Sequence, residues 1–588
     1  MRWSLDELYT SFESEEFRKD AEEILSLIGE INVFAEEELK DGDHAREKME
    51  KYLDYDMTIT RLISKVLSYS SLTMSVDARN EAARENYSRI AMRLSDLTRA
   101  DVLFRRFLDK AENLQEIIDS SALLKEHEYI LLETKRNAKY LLSNEEEILI
   151  SKLTNTGSKA WTNLQNILTS TLLVEMEMDG EMKKLPLPAV RNLAYDKDPA
   201  VRRRAFEAEL QAYAQVEESS AAALNGIKGE VLTVTELRGF ENPLEETLLD
   251  SRMEKGTLDA MFEAIRESLP MFRKYLSRKA ELLGHENGLP FYDLFAPMGE
   301  SQMSFTYEEA MDFVVKNFSS FSQRLGDYAR NAYVKNWMDV EPRDGKRGGA
   351  FCSNLHAIGE SRIMSNFDGS FSNMTTLAHE LGHGYHGFNL KDESILNSSY
   401  PMPIAETASI FCETIVVNAA LKDMDDQEAV TILEQSISDA CQVIVDIYSR
   451  YLFETRLFET RKDHPLSVKE LKSFMLDAQK EAYGDGLDSE VLHPYMWLNK
   501  THYYSAGRNF YNFPYAFGLL FSKGLYAIYL KRGEEFVPQY DELLAITGKK
   551  SIKEVAETMD IDVTKPDFFR DSLKIVEKDI EKFLNLTK

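Results

Sequence analysis

The stretch His379-Glu380-Leu-Gly-His383 constrains this chain more than any other feature of its sequence. On an α-helix, residues four apart project from nearly the same face, so His379 and His383 can ligate one metal ion. Two imidazoles suit tetrahedral Zn²⁺, and the carboxylate of Glu380 lies where it can take a proton from water at the metal. With only 10 histidines in 588 residues, chance would produce the pattern in roughly 2% of such chains. The stretch predicts a helix that carries one Zn²⁺ per chain in a site for hydrolysis; the alternative is an amphipathic helix with two surface histidines.

A catalytic zinc needs a third protein ligand, and the segment Pro403–Glu413 offers two carboxylates for it. Pro403 fits a first helical position. An apolar face at helical spacing follows, formed by Ile404, Ala408, Phe411 and Ile415. Glu406 and Glu413 are seven residues apart and therefore lie on one stripe of this helix. We predict that Glu406 ligates the metal and that Glu413 holds a ligand histidine or a substrate group. A solvated glutamate is the alternative for Glu413.

A second cluster of polar residues lies at residues 500–518, where a histidine and several tyrosines are concentrated. Hydrolysis at zinc generates a tetrahedral oxyanion, and each preorganised imidazole or phenol donor aimed at it contributes on the order of 3 kcal/mol. Pro514 indicates the start of a helix, which places Tyr515 in its first turn and Tyr511 on the preceding loop. We predict that His502 stabilises the oxyanion together with Tyr511 or Tyr515. Aromatic packing is the alternative.

The metal-binding segments resemble a known family. The run Met364–His383, with Ile404–Ser409 after it, closely resembles the oligoendopeptidase F branch of the M3 (thimet oligopeptidase-like) zinc metallopeptidases. The resemblance covers nearly the whole chain. It implies a mainly α fold, two-lobed, helical and zincin-like, with a small β-sheet beside the active-site helix and a deep central cleft. It also implies an N-terminal helical lobe over residues 1–189, an M3-type catalytic domain over residues 190–588, and cleavage of internal bonds in short unstructured peptides.

The family also carries a histidine followed by several tyrosines at the second cluster. This chain departs there from the spacing of the thimet-type relatives, since His502 lies nine residues before Tyr511. The sequence therefore leaves the choice between Tyr511 and Tyr515 open.

The resemblance further implies a substrate-binding strand. The paired glycines Gly348 and Gly349 leave the backbone uncovered next to a predicted strand, so another chain can approach it closely. In the family the corresponding strand pairs with the substrate backbone, and this role transfers to Gly348, Gly349, Ala350 and Phe351. An ordinary turn that leads into a strand is the alternative.

The length, charge and cysteine content of the chain limit its domain organisation, its cellular location and its partners. A chain of 588 residues is too long for one simple core. We find no uninterrupted apolar segment near the roughly 20 residues that a membrane helix needs, and the first residues form no apolar signal-peptide core. Cys352, Cys412 and Cys441 cannot all pair within the chain, so a reducing cytoplasm is the simplest location. A net charge of −30 disfavours nucleic-acid binding. We expect short peptides as partners, with no nucleic acid and no membrane, and the choice between monomer and homodimer stays open.

Local patterns predict the surrounding scaffold. Helical periodicity runs through the first third of the chain and again over residues 160–173. Alternation around Asp179-Gly180 predicts a β-hairpin, and Asp198-Pro199 predicts a helix start. His386 turns off the seam shared by the two ligand histidines, so we predict that it packs or forms a local hydrogen bond.

Two other functions remain open from the sequence. A zinc carboxypeptidase or dipeptidyl carboxypeptidase on a similar helical scaffold needs a cation for the substrate carboxylate, and Arg508 is a candidate. A non-catalytic peptide-binding protein with a degenerate site is the other alternative, and the intact His379, Glu380, His383 and Glu406 argue against it.

Overall fold

The computed structural model describes residues 1–178, 180–299 and 303–588. Helices follow one another through the first third of the chain, as the periodicity predicts. They are α1 (Glu15–Glu38), α2 (Ala45–Val76), α3 (Glu81–Leu94), α4 (Thr98–Lys110), α5 (Leu114–Asp119), α6 (Ala122–Glu126), α7 (Glu128–Ala138), α8 (Asn144–Thr156) and α9 (Ser158–Thr171). The prediction for residues 160–173 is wrong at its end, because α9 stops at Thr171 and Leu173 opens a strand.

The predicted hairpin and the predicted helix start are both confirmed. Strands β1 (Leu173–Met178) and β2 (Glu181–Pro186) pair antiparallel, and Asp179 of the predicted turn lies outside the described residues. The helices after the hairpin are α10 (Leu187–Asn192), α11 (Pro199–Tyr213), α12 (Glu217–Arg238), α13 (Pro243–Asp250) and α14 (Lys255–Leu282). Asp198 caps α11, since its side chain accepts a hydrogen bond from the N–H of Ala200.

A small sheet precedes the helix with the His-Glu-x-x-His stretch. The elements of this region are α15 (Tyr307–Phe321), α16 (Gln323–Val334), β3 (Met338–Asp339), β4 (Phe351–Leu355), β5 (Glu360–Met364) and α17 (Phe371–Asn389). The sheet has the order β3-β5-β4, with β4 antiparallel and β3 parallel to β5. Strand β4 is therefore an outer strand of this sheet.

Helices make up the rest of the chain. They are α18 (Met402–Ala405), α19 (Thr407–Asp423), α20 (Asp426–Cys441), α21 (Ile447–Arg461), α22 (Val468–Tyr483), α23 (Met496–Asn499), α24 (Phe513–Arg532), α25 (Phe536–Ala545), α26 (Ile552–Glu557) and α27 (Pro566–Leu586). A π-helical turn at Gln442–Asp446 separates α20 from α21. With 71% of residues helical, the predicted mainly α fold with small sheets is confirmed.

The chain groups into two compact units, each assembled from three segments. Unit 1 comprises Met1–Leu141, Met303–Lys422 and Ile528–Ile561, and unit 2 comprises the segments that alternate with them, Leu142–Gln302, Asp423–Ala527 and Asp562–Lys588. The units thus do not follow a single cut in the sequence. The boundary predicted at residues 189 and 190 concerns family architecture and stays a prediction.

The core of unit 1 supports the small sheet. Helices α1, α2 and α4 share a cluster of buried apolar side chains around Met49, Ile59 and Phe104. A neighbouring cluster joins α1 and α2 to Leu355 at the end of β4. Burial of these side chains fixes the sheet on its helical base, because apolar surface removed from water stabilises the fold by about 25 cal/mol per Å².

One described helical segment, Met402–Lys422, is long and apolar enough to cross a membrane by length and composition, with a mean hydropathy of 1.4. This differs from the sequence analysis, which finds no segment of that kind. In the most apolar 18-residue window of this segment, 56% is buried inside the protein. A buried core helix of a globular protein meets the same criteria of length and composition.

Candidate active site

Helix α17 in unit 1 presents the two predicted ligand histidines together. Its first turn is capped by Ser370, whose side chain accepts a hydrogen bond from the N–H of Asn373. The rings of His379 and His383 lie with their centroids 4.9 Å apart. The helical spacing predicted from the sequence is therefore confirmed, and both imidazoles are partly exposed at 26% and 20%.

A glycine inside the motif brings the third candidate ligand to these histidines. A Cβ on Gly382 would lie 2.5 Å from the carbonyl oxygen of Ala408 and 2.6 Å from Cα of Ser409. Only glycine permits this approach, so α17 packs directly on the backbone at the start of α19. The close contact holds Glu406 opposite the histidine pair.

The sequence predicts one continuous helix through Glu406, and this prediction is wrong. Helix α18 begins at Met402, so Pro403 is its second residue, and Glu406 ends it with φ −88° and ψ 5° before α19 begins. The predicted apolar face is nevertheless correct, since all four of its members are buried: Ile404, Ala408, Phe411 and Ile415. The short break turns the Glu406 carboxylate toward α17.

The three side chains form a cluster whose geometry fits a tetrahedral metal. The Oε2 atom of Glu406 lies 3.2 Å from Nε2 of His379 and 3.3 Å from Nε2 of His383. Ligand atoms about 2.0–2.1 Å from a tetrahedral Zn²⁺ are separated by about 3.3 Å, so these distances fit the ion. Among the described residues, this is the group of histidine, cysteine and acidic side chains that could hold a metal, with its ligand atoms within 4.8 Å of one another.

The charges in the cluster favour a cation. Burial lowers the pKa of His379, but hydrogen bonds to Glu406 and Glu413 outweigh it and raise the pKa to about 10. Burial raises the pKa of Glu406, yet its hydrogen bonds to His379 and His383 hold that pKa far below its usual range. The carboxylates thus favour positive charge between them, which a divalent cation supplies.

Two hydrogen bonds orient the ligand side chains. Nδ1 of His379 lies 3.2 Å from Oε2 of Glu413, so this carboxylate faces the ring nitrogen that points away from Glu406. The hydroxyl of Ser409 donates to Oε2 of Glu406 at 2.7 Å. Glu413 is among the residues predicted from the sequence and Ser409 is not, although a serine three residues after a carboxylate at a helix start is a recognisable signal.

Glu380 occupies a buried position beside the cluster. Its side chain is 7% exposed, and burial raises the pKa of its carboxyl group. The backbone N–H of Cys352, the second residue of β4, acts in the opposite direction and lowers the pKa of the same carboxyl group. Outer strand and candidate base are therefore adjacent within unit 1.

His386 and the three cysteines lie outside the metal cluster. His386 is fully buried, contacts Thr547 Oγ1 through Nε2 at 2.8 Å, and stacks on Tyr400 at 4.0 Å. The prediction that it packs outside the metal site is confirmed. Cys352, Cys412 and Cys441 are all unpaired, and burial raises the pKa of each thiol.

The glycine loop before β4 is anchored by its neighbours. Gly348 and Gly349 are exposed, and Gly349 has φ +81°. The side-chain amide of Asn366 donates to the carbonyls of Arg347 and Gly349 at 3.0 and 3.1 Å. Nζ of the buried Lys346 donates to the carbonyl of Ser365 at 2.6 Å. The predicted turn and strand are thus present, with Phe351 as the first residue of β4.

The second predicted cluster lies in unit 2. His502 is in a short 3₁₀ turn, Thr501–Tyr504, and its ring is 5.8 Å from that of Tyr511. The hydroxyls of Tyr511 and Tyr515 are 3.0 Å apart. Tyr515 lies in the first turn of α24 and Tyr511 on the preceding loop, as predicted, although α24 begins at Phe513 and Pro514 is its second residue.

His502 is buried, and its imidazole is neutral. Burial, together with the nearby cations Arg450, Lys228 and Lys500, lowers its pKa to about 2. Nε2 of His502 and the hydroxyl of Tyr503 have no hydrogen-bond partner among the described residues. An unpartnered buried imidazole nitrogen is costly unless a ligand uses it.

Comparisons with known proteins identify the family and agree with this fold. Peptidase family M3 matches residues 192–575, and the family described as Oligopeptidase F matches residues 110–172. Oligopeptidase PepF of Bacillus subtilis is 22% identical over 596 residues, which cover 99% of this chain and 87% of that protein. The solved structure of oligoendopeptidase-F from Enterococcus faecium is similar with a TM-score of 0.72 at 18% identity, covering 97% of this chain and 99% of that one. The solved structure of a peptidase from Chlamydophila abortus is similar with a TM-score of 0.85 at 19% identity, and the match covers 100% of this chain and 98% of that one.

A helical fold that holds two histidines and a glutamate in this arrangement defines a metallopeptidase. The chain belongs to peptidase family M3, in its oligoendopeptidase F branch. The predicted family and the prediction of an enzyme are confirmed.

Proposed function

We propose that the protein is a zinc-dependent endopeptidase that hydrolyses internal bonds of short, unstructured peptides. The observation that carries the proposal is the cluster of His379, His383 and Glu406, whose ligand atoms fit a tetrahedral ion. The carboxylates of Glu406 and Glu413 favour positive charge there. When bound, zinc supplies a Lewis acid for the scissile carbonyl and lowers the pKa of water.

Glu380 is the proposed general base. Its carboxylate is buried, and it lies on α17 directly after His379. It takes a proton from the attacking water and returns it to the leaving amine. Glu413 and Ser409 keep the ligand side chains oriented, since each bonds to one of them.

The proposed oxyanion donors are His502, Tyr511 and Tyr515. Support comes from the neutral, unpartnered Nε2 of His502 and from the hydroxyl pair of the two tyrosines. A neutral imidazole and a phenol can each donate a hydrogen bond, and such donors stabilise charge that develops in the transition state.

The proposed substrate site is the outer edge at Gly348, Gly349, Ala350 and Phe351. An extended peptide can add to an outer strand through main-chain hydrogen bonds, independently of its side chains. The contacts of Lys346 and Asn366 support this role, because they hold the loop in a fixed conformation before substrate arrives.

A carboxypeptidase or dipeptidyl carboxypeptidase is the second candidate, and one contact favours it. The guanidinium of Arg508 lies 5.3 Å from the ring of Tyr511, so a cation for a substrate carboxylate stands next to a proposed donor. We favour the endopeptidase, the activity carried in the name of the solved Enterococcus faecium relative.

The proposal is tested by metal analysis and product analysis of the purified protein. We expect one zinc per chain, and internal cleavage of a peptide whose C-terminus is amidated. Cleavage only of peptides with a free C-terminus would favour the carboxypeptidase. We place the reaction in the cytoplasm, a location supported by the three unpaired cysteines.

A further inference from the structure

The backbone just before Tyr511 is strained. Phe510 has φ +51°, in the left-handed region that bulky residues avoid because of steric clashes around Cβ. A conformation of this kind persists only where the surroundings enforce it, and such residues concentrate at functional sites. The question is which contacts enforce it here.

A buried ion pair in unit 2 ends on this strained residue. Nζ of Lys228 on α12 lies 3.1 Å from Oε1 of Glu454 on α21, and both side chains are almost fully buried. The other oxygen of Glu454 accepts a hydrogen bond from the backbone N–H of Phe510 at 2.9 Å. The carboxylate therefore connects α12 to the backbone of the loop.

The neighbouring Asn509 is fixed by the same lysine. Nζ of Lys228 donates to Oδ1 of Asn509 at 2.8 Å, and the hydroxyl of Thr247 donates to the Asn509 carbonyl at 2.9 Å. The side-chain amide of Asn509 donates to the carbonyl of Ala506. Two consecutive loop residues are thus held by polar side chains from three helices, α12, α13 and α21.

We propose that Lys228 and Glu454 are positioning residues that hold Phe510 in its left-handed conformation and thereby fix the hydroxyl of Tyr511 against Tyr515. The inference rests on the proposed function, in which these tyrosines stabilise the transition state. It assigns the pair a role in turnover that a purely structural ion pair does not have.

The energetics of buried charges support a role beyond stability. A buried ion pair is often no more stabilising than apolar residues of the same volume, because removing both charges from water is costly. Nζ of Lys228 also lies over the ring of Phe458, 5.0 Å from its centroid. An apolar pair in place of Lys228 and Glu454 would leave the N–H of Phe510 without its acceptor.

Unit 2 contains a matched control in a second buried pair. Nζ of Lys279 lies 2.6 Å from Oε1 of Glu434, and the side chains are 1% and 8% exposed. The remaining bonds of this pair reach the hydroxyl of Tyr275 and the carbonyl of Leu294. It has the same chemistry and burial, but it does not contact the loop before Tyr511.

The test compares Lys228→Met with Lys279→Met by thermal denaturation and by steady-state kinetics on one peptide. We expect both variants to lose stability, and Lys228→Met to lose about 10- to 100-fold in kcat with KM nearly unchanged. Lys279→Met should keep its kcat within about twofold of wild type. Its pair does not contact the loop before Tyr511, so losing this charge should lower the stability of the fold without moving the tyrosine. Glu454→Gln, which keeps an acceptor for Phe510, should retain more kcat than Glu454→Leu.

A double-mutant cycle with Tyr511→Phe distinguishes positioning from a general loss of structure. If Lys228 acts through Tyr511, then Lys228→Met adds little further loss of kcat once the hydroxyl is gone. Full additivity of the two losses, or an equal loss of kcat in Lys279→Met, overturns the inference. Should Lys228→Met fail to fold, Lys228→Met/Glu454→Leu removes both charges and serves in the same cycle.

Failure of the proposed function gives a different result. If Tyr511→Phe alone leaves kcat unchanged, the role assigned to Tyr511 is wrong, and the inference that depends on it fails as well. If Tyr511→Phe is damaging and Lys228→Met is silent or additive, the tyrosine keeps its role and only the positioning by Lys228 is excluded.

Discussion

Polar side chains are arranged differently in two regions of the molecule. The metal cluster of unit 1 comprises His379, His383 and Glu406 with the neighbouring Glu413, and the tyrosine cluster of unit 2 comprises His502, Tyr511 and Tyr515. In the metal cluster, both carboxylates contact imidazole nitrogens, and Ser409 bonds to one of these carboxylates. In the tyrosine cluster, Nε2 of the buried His502 has no partner among the described residues. The proposed function explains this difference, because it assigns a permanent ion to the first arrangement and a group that arrives with the reaction to the second.

This difference leads to different expected phenotypes. Ligand and orienting residues of the metal cluster should affect metal content and activity together. Donors of the tyrosine cluster should affect kcat and leave metal content and KM nearly unchanged. Glu380 belongs to unit 1 but should behave like the donors of the tyrosine cluster, because it acts on the reaction without being a predicted ligand.

The largest expected effect is that of Glu380→Gln. We expect it to lower turnover about 10³-fold or more, because an amide hydrogen-bonds to water but does not accept its proton. Zinc content should stay at the wild-type level, since the ligands are untouched. Turnover on a quenched peptide and metal analysis of the same preparation provide the measurement, and near-normal turnover would exclude Glu380 as the base.

Tyr515→Phe should lower kcat about 10²-fold with little change in KM or zinc content. The residue lies in the first turn of α24, and its hydroxyl is 3.0 Å from that of Tyr511. Tyr511→Phe is the matched comparison, because it removes the other hydroxyl of the pair. A silent Tyr515→Phe with a damaging Tyr511→Phe would assign the donor role to Tyr511, and two silent variants would show that the pair serves packing.

Ser409→Ala should have the smallest effect of the three. It removes one hydrogen bond to Glu406 and leaves every ligand in place, so we expect zinc affinity to fall about 10-fold. Competition with a zinc chelator measures the affinity. An equal loss of kcat at saturating zinc would contradict an orienting role limited to metal binding.

Much of the metal centre could be predicted from the sequence because helical geometry fixes it. Four residues of spacing determine that His379 and His383 share a face, and this holds in α17. The helix break at Glu406 could not be predicted, since the apolar periodicity continues through it from Ile404 to Ala408. The backbone of α17 at Gly382 packs just after this break, against Ala408 and Ser409, and such a contact is a tertiary feature.

The tyrosine cluster was less predictable for a physical reason. Its composition indicates donors, but a loop has no fixed period that assigns a direction to each side chain. The left-handed conformation of Phe510 has no signal in the sequence, because phenylalanine rarely adopts it. The bond from Glu454 connects residues 56 positions apart, a pairing that follows from tertiary packing.

Zinc content per chain is the most direct test of the central claim, that His379, His383 and Glu406 hold the catalytic ion. Wild type, Glu406→Ala and Glu413→Ala are purified, saturated with zinc, dialysed and analysed for metal, with circular dichroism to check folding. We predict one zinc per chain in wild type, almost none in Glu406→Ala, and an intermediate amount in Glu413→Ala. Stoichiometric zinc in a folded Glu406→Ala variant, with loss in Glu413→Ala, would contradict the account and make Glu413 the third ligand.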